Sequence, residues 1–274
     1  MDMDGFWDLI ERARLAAGPA ADQAVRDYDE VGDDPDRDYW DFENIDLQAA
    51  FAAELGTGTE IGAGHVDEDD EDDSDDEEFD DEEDVTDPIA LALLELLGSL
   101  PAAEIAAFDN LFEDVRARAD RSDLATAATL IEHGILSDES FDDFKAGLVA
   151  LGRTTFERAV ADPDTLADNP AVREIANARD PRWLGREDMI FVASHAYAAV
   201  TGEAEVDFFE FAEAQRPEGE QGSWLGDAQE EEGPTLPLND EHEVRRRLPR
   251  LAEMFYERSM QNRQRALDTL GLQA

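Results

Sequence analysis

The sequence predicts an all-α fold: a single helical domain of about seven to nine helices, with a disordered acidic insertion near its start. Three observations predict it. Apolar residues recur at helical spacing along most of the chain, and almost nothing alternates like a strand. Residues 67–84 read DEDDEDDSDDEEFDDEED, a run that cannot bury apolar area.

The elements follow in order. Asp4 is expected to cap a first helix, in which Phe6, Ile10, Ala13 and Ala17 share a face and Trp7 stands beside them. Gly18-Pro19 ends it. Residues 20–54 hold weaker helical stretches and an aromatic-rich patch from Tyr39 to Phe51, and a Gly/Thr stretch then leads into the acidic run. Asp87 as cap with Pro88 at the first helical position starts a strong helix, apolar almost all round over 88–97 and therefore central. Gly98-Ser99 breaks it. The next helix, from about Pro101, presents Ile105, Phe108, Phe112 and Val115. A third starts near Ser122 or Asp123, buries Leu124, Ala128 and Ile131, and ends at Gly134. A fourth starts at Ser137, buries Phe141, Phe144 and Leu148, and ends at Gly152. Phe156 and Val160 mark a fifth, stopped by Asp162-Pro163. Short helices near 170–178 and 187–201 follow, the latter ending at Gly202. A Pro/Gly/Glu-rich loop precedes a final helix that buries Leu251, Met254, Phe255 and Leu267.

The expected organisation is a first helix at 1–18, a weakly helical insertion at 19–66, and the acidic run at 67–86. A helical core at 87–214, a loop at 215–240 and a C-terminal helix at 241–274 complete it.

Charge excludes several functions. The 274 residues carry 71 acids against 22 bases, a formal net charge of −49. Nucleic-acid binding through a broadly basic surface is excluded, because phosphate contacts need clustered Lys and Arg. Docking on an anionic membrane is disfavoured for the same reason. No apolar run approaches the roughly 20 residues that span a bilayer. The start Met1-Asp2-Met3-Asp4 is the reverse of a signal peptide, so a cytoplasmic protein is expected. With no cysteine there is no disulfide, thiol catalysis or Cys-based zinc site.

Without residues 67–84, 55 acids still face 22 bases, so the acidity runs along the whole chain. Lys145 is the one lysine against 21 arginines. Dispersed acid with almost no lysine suits a halophilic protein working in molar salt, where the Debye length falls to about 3 Å and self-repulsion is screened. Titrating KCl while following helicity by circular dichroism tests this: the helix signal should grow with salt, and full helicity at low salt would refute it.

Several motifs fail on inspection. His65, His133, His195 and His242 share no metal-ligand spacing, so no metal site is expected, and His133 reads as a helix C-terminal residue that suits the dipole. The acidic run lacks the sixth-position Gly and closing Glu of a calcium loop. Gly56-Thr57-Gly58 with Gly62 has no preceding strand, so it is no dinucleotide fingerprint. There is no GxSxG and no Walker sequence. No catalytic residue and no cofactor are assigned.

An ordered set of short motifs resembles a bacterial family, the domain of unknown function numbered 4240. Phe6-Trp7-Asp8-Leu9-Ile10 is similar to its opening FWxLI, and Ile105 to Phe112 to its IxxFDxxF. Asp123-Leu124 with Ala127-Ala128 and Leu130-Ile131 resembles its DLWxAAxLI. Ser137 to Phe141 with Phe144-Lys145 resembles its SDDxFxxFR. Gly152-Arg153, the run Ala161 to Ala167, Phe191-Val192-Ala193 with Ala196-Tyr197 and Thr201-Gly202, and Arg247 to Leu251 resemble later elements. The family often has Trp where this chain has Ala125 or near Gly147, and Cys near Leu136. If such side chains line a ligand site, this chain lacks those walls. The resemblance implies a helical domain and no known activity, with residues 19–86 inserted between its first two helices.

The polar residues shared with that pattern are the candidate ligand-binding set: Asp109, Asp123, Asp138, Asp142 and Lys145, with Arg153 nearby. Capping and surface ion pairing are the plainer explanation of these residues. Asp123 and Ser137 fit N-caps, Asp138 suits a helix start, and Asp142 and Lys145 are three apart on one face. The basic C-terminal segment supplies a candidate partner-binding set, Arg245, Arg246, Arg247, Arg250 and Arg258. Its plain alternative is pairing with the chain's own acids. The function expected is a non-enzymatic interaction or regulatory module with a possible protein partner, and neither nucleic acid nor membrane. The alternatives are a small-ligand or cation binder or enzyme using an acidic interhelical pocket, and a nucleic-acid mimic.

Overall fold

Every described element is helical, and sequence signals place most of the ends. The computed structural model describes residues 1–25, 85–179, 181–216 and 238–269. The aromatic patch, the Gly/Thr stretch, the acidic run through Asp84, His65 and most of the 215–240 loop lie outside these residues. Among the described residues α1 is Met3–Ala17, α2 Pro88–Leu97, α3 Ala102–Ala117, α4 Ser122–Ile131 and α5 Asp138–Ala150. Then come α6 Arg153–Ala161, α7 Pro170–Asn177, α8 Asp188–Thr201, α9 Glu205–Ala214, α10 Glu241–Arg247 and α11 Pro249–Thr269. Short 3₁₀ turns occupy Gly18–Asp22 and Pro163–Asp168. The all-α expectation holds. Two short elements were not read separately, α9 and α10.

The caps show why the helices start where they do. Asp87 accepts from the backbone N–H groups of Ile89 and Ala90, with Pro88 at the first position, as expected. Ser137 accepts from Ser140 N and starts α5. Two expected caps are corrected. Asp2, not Asp4, caps α1 by accepting from Gly5 N at 2.8 Å, and Asp4 falls in the first turn. Arg121 holds the cap position of α4 without a side-chain bond, and Asp123 lies inside the helix. The last helix is split because Pro249 disfavours a helical residue before it, and Leu248 leaves the helical region at ψ 57°.

One apolar core joins all the layers. α2 packs between α1 and α8; α3 packs on α8 and α9; α11 packs on α4. Phe6, Phe108, Phe112, Phe144, Phe156, Phe208 and Phe255 are its largest fully buried side chains. Phe6 meets Phe108 at 5.1 Å between ring centroids, which ties α1 to α3. α2 is less enclosed than its composition predicts: Leu91 is 47% exposed.

A stretch without helix, Arg182 to Arg186, crosses the core edge and is fixed at every step. Trp183 forms an isolated antiparallel bridge with Val25. The Arg182 carbonyl lies 2.8 Å from His133 Nε2. Leu184 and Gly185 donate their N–H groups to Glu132 Oε1 at 3.0 and 3.2 Å. Arg186 N donates to the Asp143 carbonyl at 3.0 Å. The segment lies so close to α5 that a Cβ on Gly147 would stand 2.0 Å from the Leu184 carbonyl oxygen. Gly147→Ala should therefore lower stability by about 1–3 kcal/mol, read as a lower midpoint in urea unfolding. An unchanged midpoint would show that the crossing segment moves aside freely.

Candidate functional site

Helical spacing builds a charged seam between α3 and α5. On α3, Asp109, Glu113 and Arg116 stand at i, i+4 and i+7, beside the apolar stripe. On α5, Asp142 and Lys145 stand at i and i+3. Arg216, just past α9, closes the seam from a third element.

The contacts are ion pairs of mixed quality. Lys145 Nζ lies 2.8 Å from Asp142 and 3.5 Å from Asp120, and 4.8 Å above the Phe141 ring. Burying the one lysine this far is feasible only with such partners. Arg116 Nη2 lies 3.4 Å from Glu113 and 3.8 Å from Asp142, while its Nε and Nη1 make no hydrogen bond to a described residue. Arg216 Nη1 pairs with Asp114 at 3.0 Å. Asp109 joins none of these pairs. Burial, then repulsion from Glu113, pushes its carboxyl up to about 7, against the pull of Arg216 and Arg116. Burial likewise raises Glu113. Asp143, next along α5, is pushed up to about 7 by burial and by Glu187, Glu139 and Asp142. Two carboxyls thus sit where they exchange protons near neutral pH, which is common at functional sites and also occurs in structural networks.

The structure brings two of the six ligand-set residues into contact, Asp142 and Lys145, and Asp109 is linked to them only through Arg116 and Glu113. The others stand apart. Asp123 pairs with Arg121 at 3.0 Å and accepts from Leu124 N. Asp138 is exposed in the first turn of α5. Arg153 bridges Asp4 at 2.8 Å and Glu157 at 2.9 Å, fastening α6 to α1. The arginines of the C-terminal set all have partners within the chain. Arg245 pairs with Glu241 and Glu257, Arg246 and Arg247 with Glu243, and Arg250 with Asp168. Arg258 donates to the Ile175 and Ala178 carbonyls at the end of α7.

His133 is a correction. It is 2% exposed and adopts φ 66°, a left-handed conformation uncommon for a side-chain residue. Burial and Arg258 lower its ring to about 3, so it is neutral and does not act as a cation on the helix dipole. Its neighbour Glu132, missed in the sequence, is 4% exposed and pushed up to about 8 by burial. Oε2 of Glu132 has no hydrogen-bond partner among the described residues. Among the described residues no group of three or more His, Asp or Glu is placed to hold a metal ion.

Apart from Arg216, the seam and the crossing segment lie in one stretch of chain that a family model matches. Residues 72–199 match the family model described as protein of unknown function, DUF4240. The DUF4240 match spans just under half of the chain. It takes in α2 to most of α8, and with them Asp109, Asp142, Lys145 and Glu132. The Phe6–Ile10 and Arg247–Leu251 resemblances fall outside it, as does Arg216. No curated protein and no solved structure matches the chain. No described helix is long and apolar enough to cross a membrane.

Proposed function

We propose that the chain is a non-enzymatic interaction module that engages a protein partner. The observation that carries this reading is an apolar step on α9. Val206 is 74% exposed and Phe209, three residues on and on the same face, is 49% exposed. A pair of this kind is costly to leave in water and is a typical anchor. The test uses the full chain in molar KCl. Partners captured by the wild type should be lost from the doubly substituted Val206→Ser, Phe209→Ser chain while its helix content is unchanged. Equal recovery by both chains would overturn the reading.

One observation favours a second reading, a small ligand in the seam: Arg116 keeps two buried nitrogens without hydrogen bonds to any described residue beside the raised Asp109 carboxyl. Ligand binding there should respond to Asp109→Asn, and a ligand bound equally by both chains would exclude the seam. The docking role of the C-terminal arginines has less support, since each already has a partner within the chain. We further propose that α1 is the first helix of the DUF4240 domain, separated from α2 by inserted sequence. Its Phe6 and Ile10 in the shared core support this.

A further inference from the structure

A second charged site lies on the far side of α6, unrelated to the interaction reading. A pocket of about 170 Å³ opens there, lined by Thr155, Arg158, Thr165, Asp168, Asn169 and Pro170. The acid at its edge, Asp168, is already saturated. Both terminal nitrogens of Arg250 bond it, with Nη1 at 3.1 Å, and Arg173 Nη2 adds a bond at 3.3 Å. Arg158 Nη2 stands 3.6 Å away, an ion pair beyond hydrogen-bond reach.

The donors around the pocket are left over. Among the described residues Arg158 has that one contact and no hydrogen bond. Thr155, one turn earlier on the same helix, donates its hydroxyl to no described residue. Asn169 spends its carbonyl oxygen on the N–H groups of Ala171 and Val172, which leaves its side-chain NH₂ as a donor. The other acids nearby are committed elsewhere. Asp164 accepts from Arg250 N and Leu251 N at the start of α11, and Asp162 accepts from Asp164 N. Among the described residues three unspent donors, one of them a guanidinium, thus line an open pocket with room for a phosphate-sized ion and its hydration waters.

We propose that this pocket binds a small oxyanion of the phosphate class, held by the Arg158 guanidinium, the Thr155 hydroxyl and the Asn169 amide. The net charge of −49 does not prevent it. In molar salt the Debye length is about 3 Å, so distant carboxylates are screened while hydrogen bonds at contact persist. The volume admits a free ion or the end of a small phosphomonoester.

The test is a calorimetric titration of the full chain in molar KCl with inorganic phosphate, and separately with glycerol phosphate. Saturable binding of one equivalent is expected, weakened about tenfold by Arg158→Gln, as befits loss of a charged hydrogen-bond donor. Thr155→Val should weaken it less. Arg158 is exposed and Thr155 half-buried with no hydrogen bond to a described residue, so each variant should melt close to the wild type. Binding of phosphate itself identifies a free-ion site, and binding of the ester alone a phosphomonoester site. No saturable binding of either, or equal affinity in wild type and Arg158→Gln, would overturn the proposal.

Discussion

Arg186→Met should cost about 3–5 kcal/mol, the loss expected when one partner is taken from a buried ion pair. Arg186 is 3% exposed and its Nη1 pairs with Asp87, itself 8% exposed. Its Nη2 donates to the Gln23 carbonyl at 2.9 Å. Gln23 and Asp87 flank residues 26–84 in the sequence, so one guanidinium ties together both chain ends entering that segment. Without it, Asp87 keeps its two capping bonds on Oδ1 but its charge is buried with no counter-ion. Urea unfolding in molar KCl measures the loss. Asp87→Asn added to Arg186→Met should recover part of it, because the stranded charge is then gone. A single-variant loss under about 1 kcal/mol would mean that water reaches Asp87 and the pair is not a fastener.

This anchor was not legible in the sequence, and the reason is physical. Periodicity reports which face of a helix is apolar, so Ile105, Phe108, Phe112 and Val115 announced the buried side of α3. Asp87-Pro88 and Ser137 announced helix starts because a cap is a local bond. Arg182 to Arg186 has no period, and apart from the Arg182–Glu174 pair its partners Gln23, Val25, Asp87, Glu132, His133 and Asp143 lie tens of residues away. Gly147 inside α5 was the available hint, since a helix-interior glycine marks a close approach. α9 escaped because only Phe208 and Ala212 are buried, too few for a stripe.

The charged seam was half legible. Asp109, Asp142 and Lys145 stand out as shared polar residues, and helical spacing pairs Asp142 with Lys145. Glu113, Arg116 and Asp143 were lost among 71 acids and 22 bases, where spacing alone makes every pair plausible. What sets them apart is burial, and burial is decided by how α3, α5 and α9 pack. The leftover donors at Arg158, Thr155 and Asn169 were hidden for the converse reason. Their significance is a missing acceptor, and only a full count of partners shows that.

Glu132→Gln should stabilise the protein by about 3 kcal/mol at pH 7, with a gain that depends on pH in a defined way. The Glu132 carboxyl moves from 4.5 when free to about 8 in the fold, chiefly by burial. A folded value above the unfolded one gives stability that is complete below 4.5 and lost as pH rises through about 8, at about 1.4 kcal/mol per unit. Adjacent His133 runs the other way. Its ring moves from 6.5 down to about 3, so its stability is complete above 6.5 and lost as pH falls. Between 4.5 and 6.5 the two slopes cancel, and above 6.5 the Glu132 loss stands alone within the pair. Asp109, also near 7, adds the same slope to wild type and variant, while Asp143, whose charge helps to raise Glu132, adds a smaller coupled part to the difference between the two chains. Gln keeps an oxygen for Leu184 N and Gly185 N and carries no charge to bury. The difference in unfolding free energy should be near zero at acid pH, climb through neutrality and level off above about 8. A difference that stays flat across that range would mean that Glu132 is ionised in the fold, with water or a cation reaching the Oε2 that has no partner among the described residues.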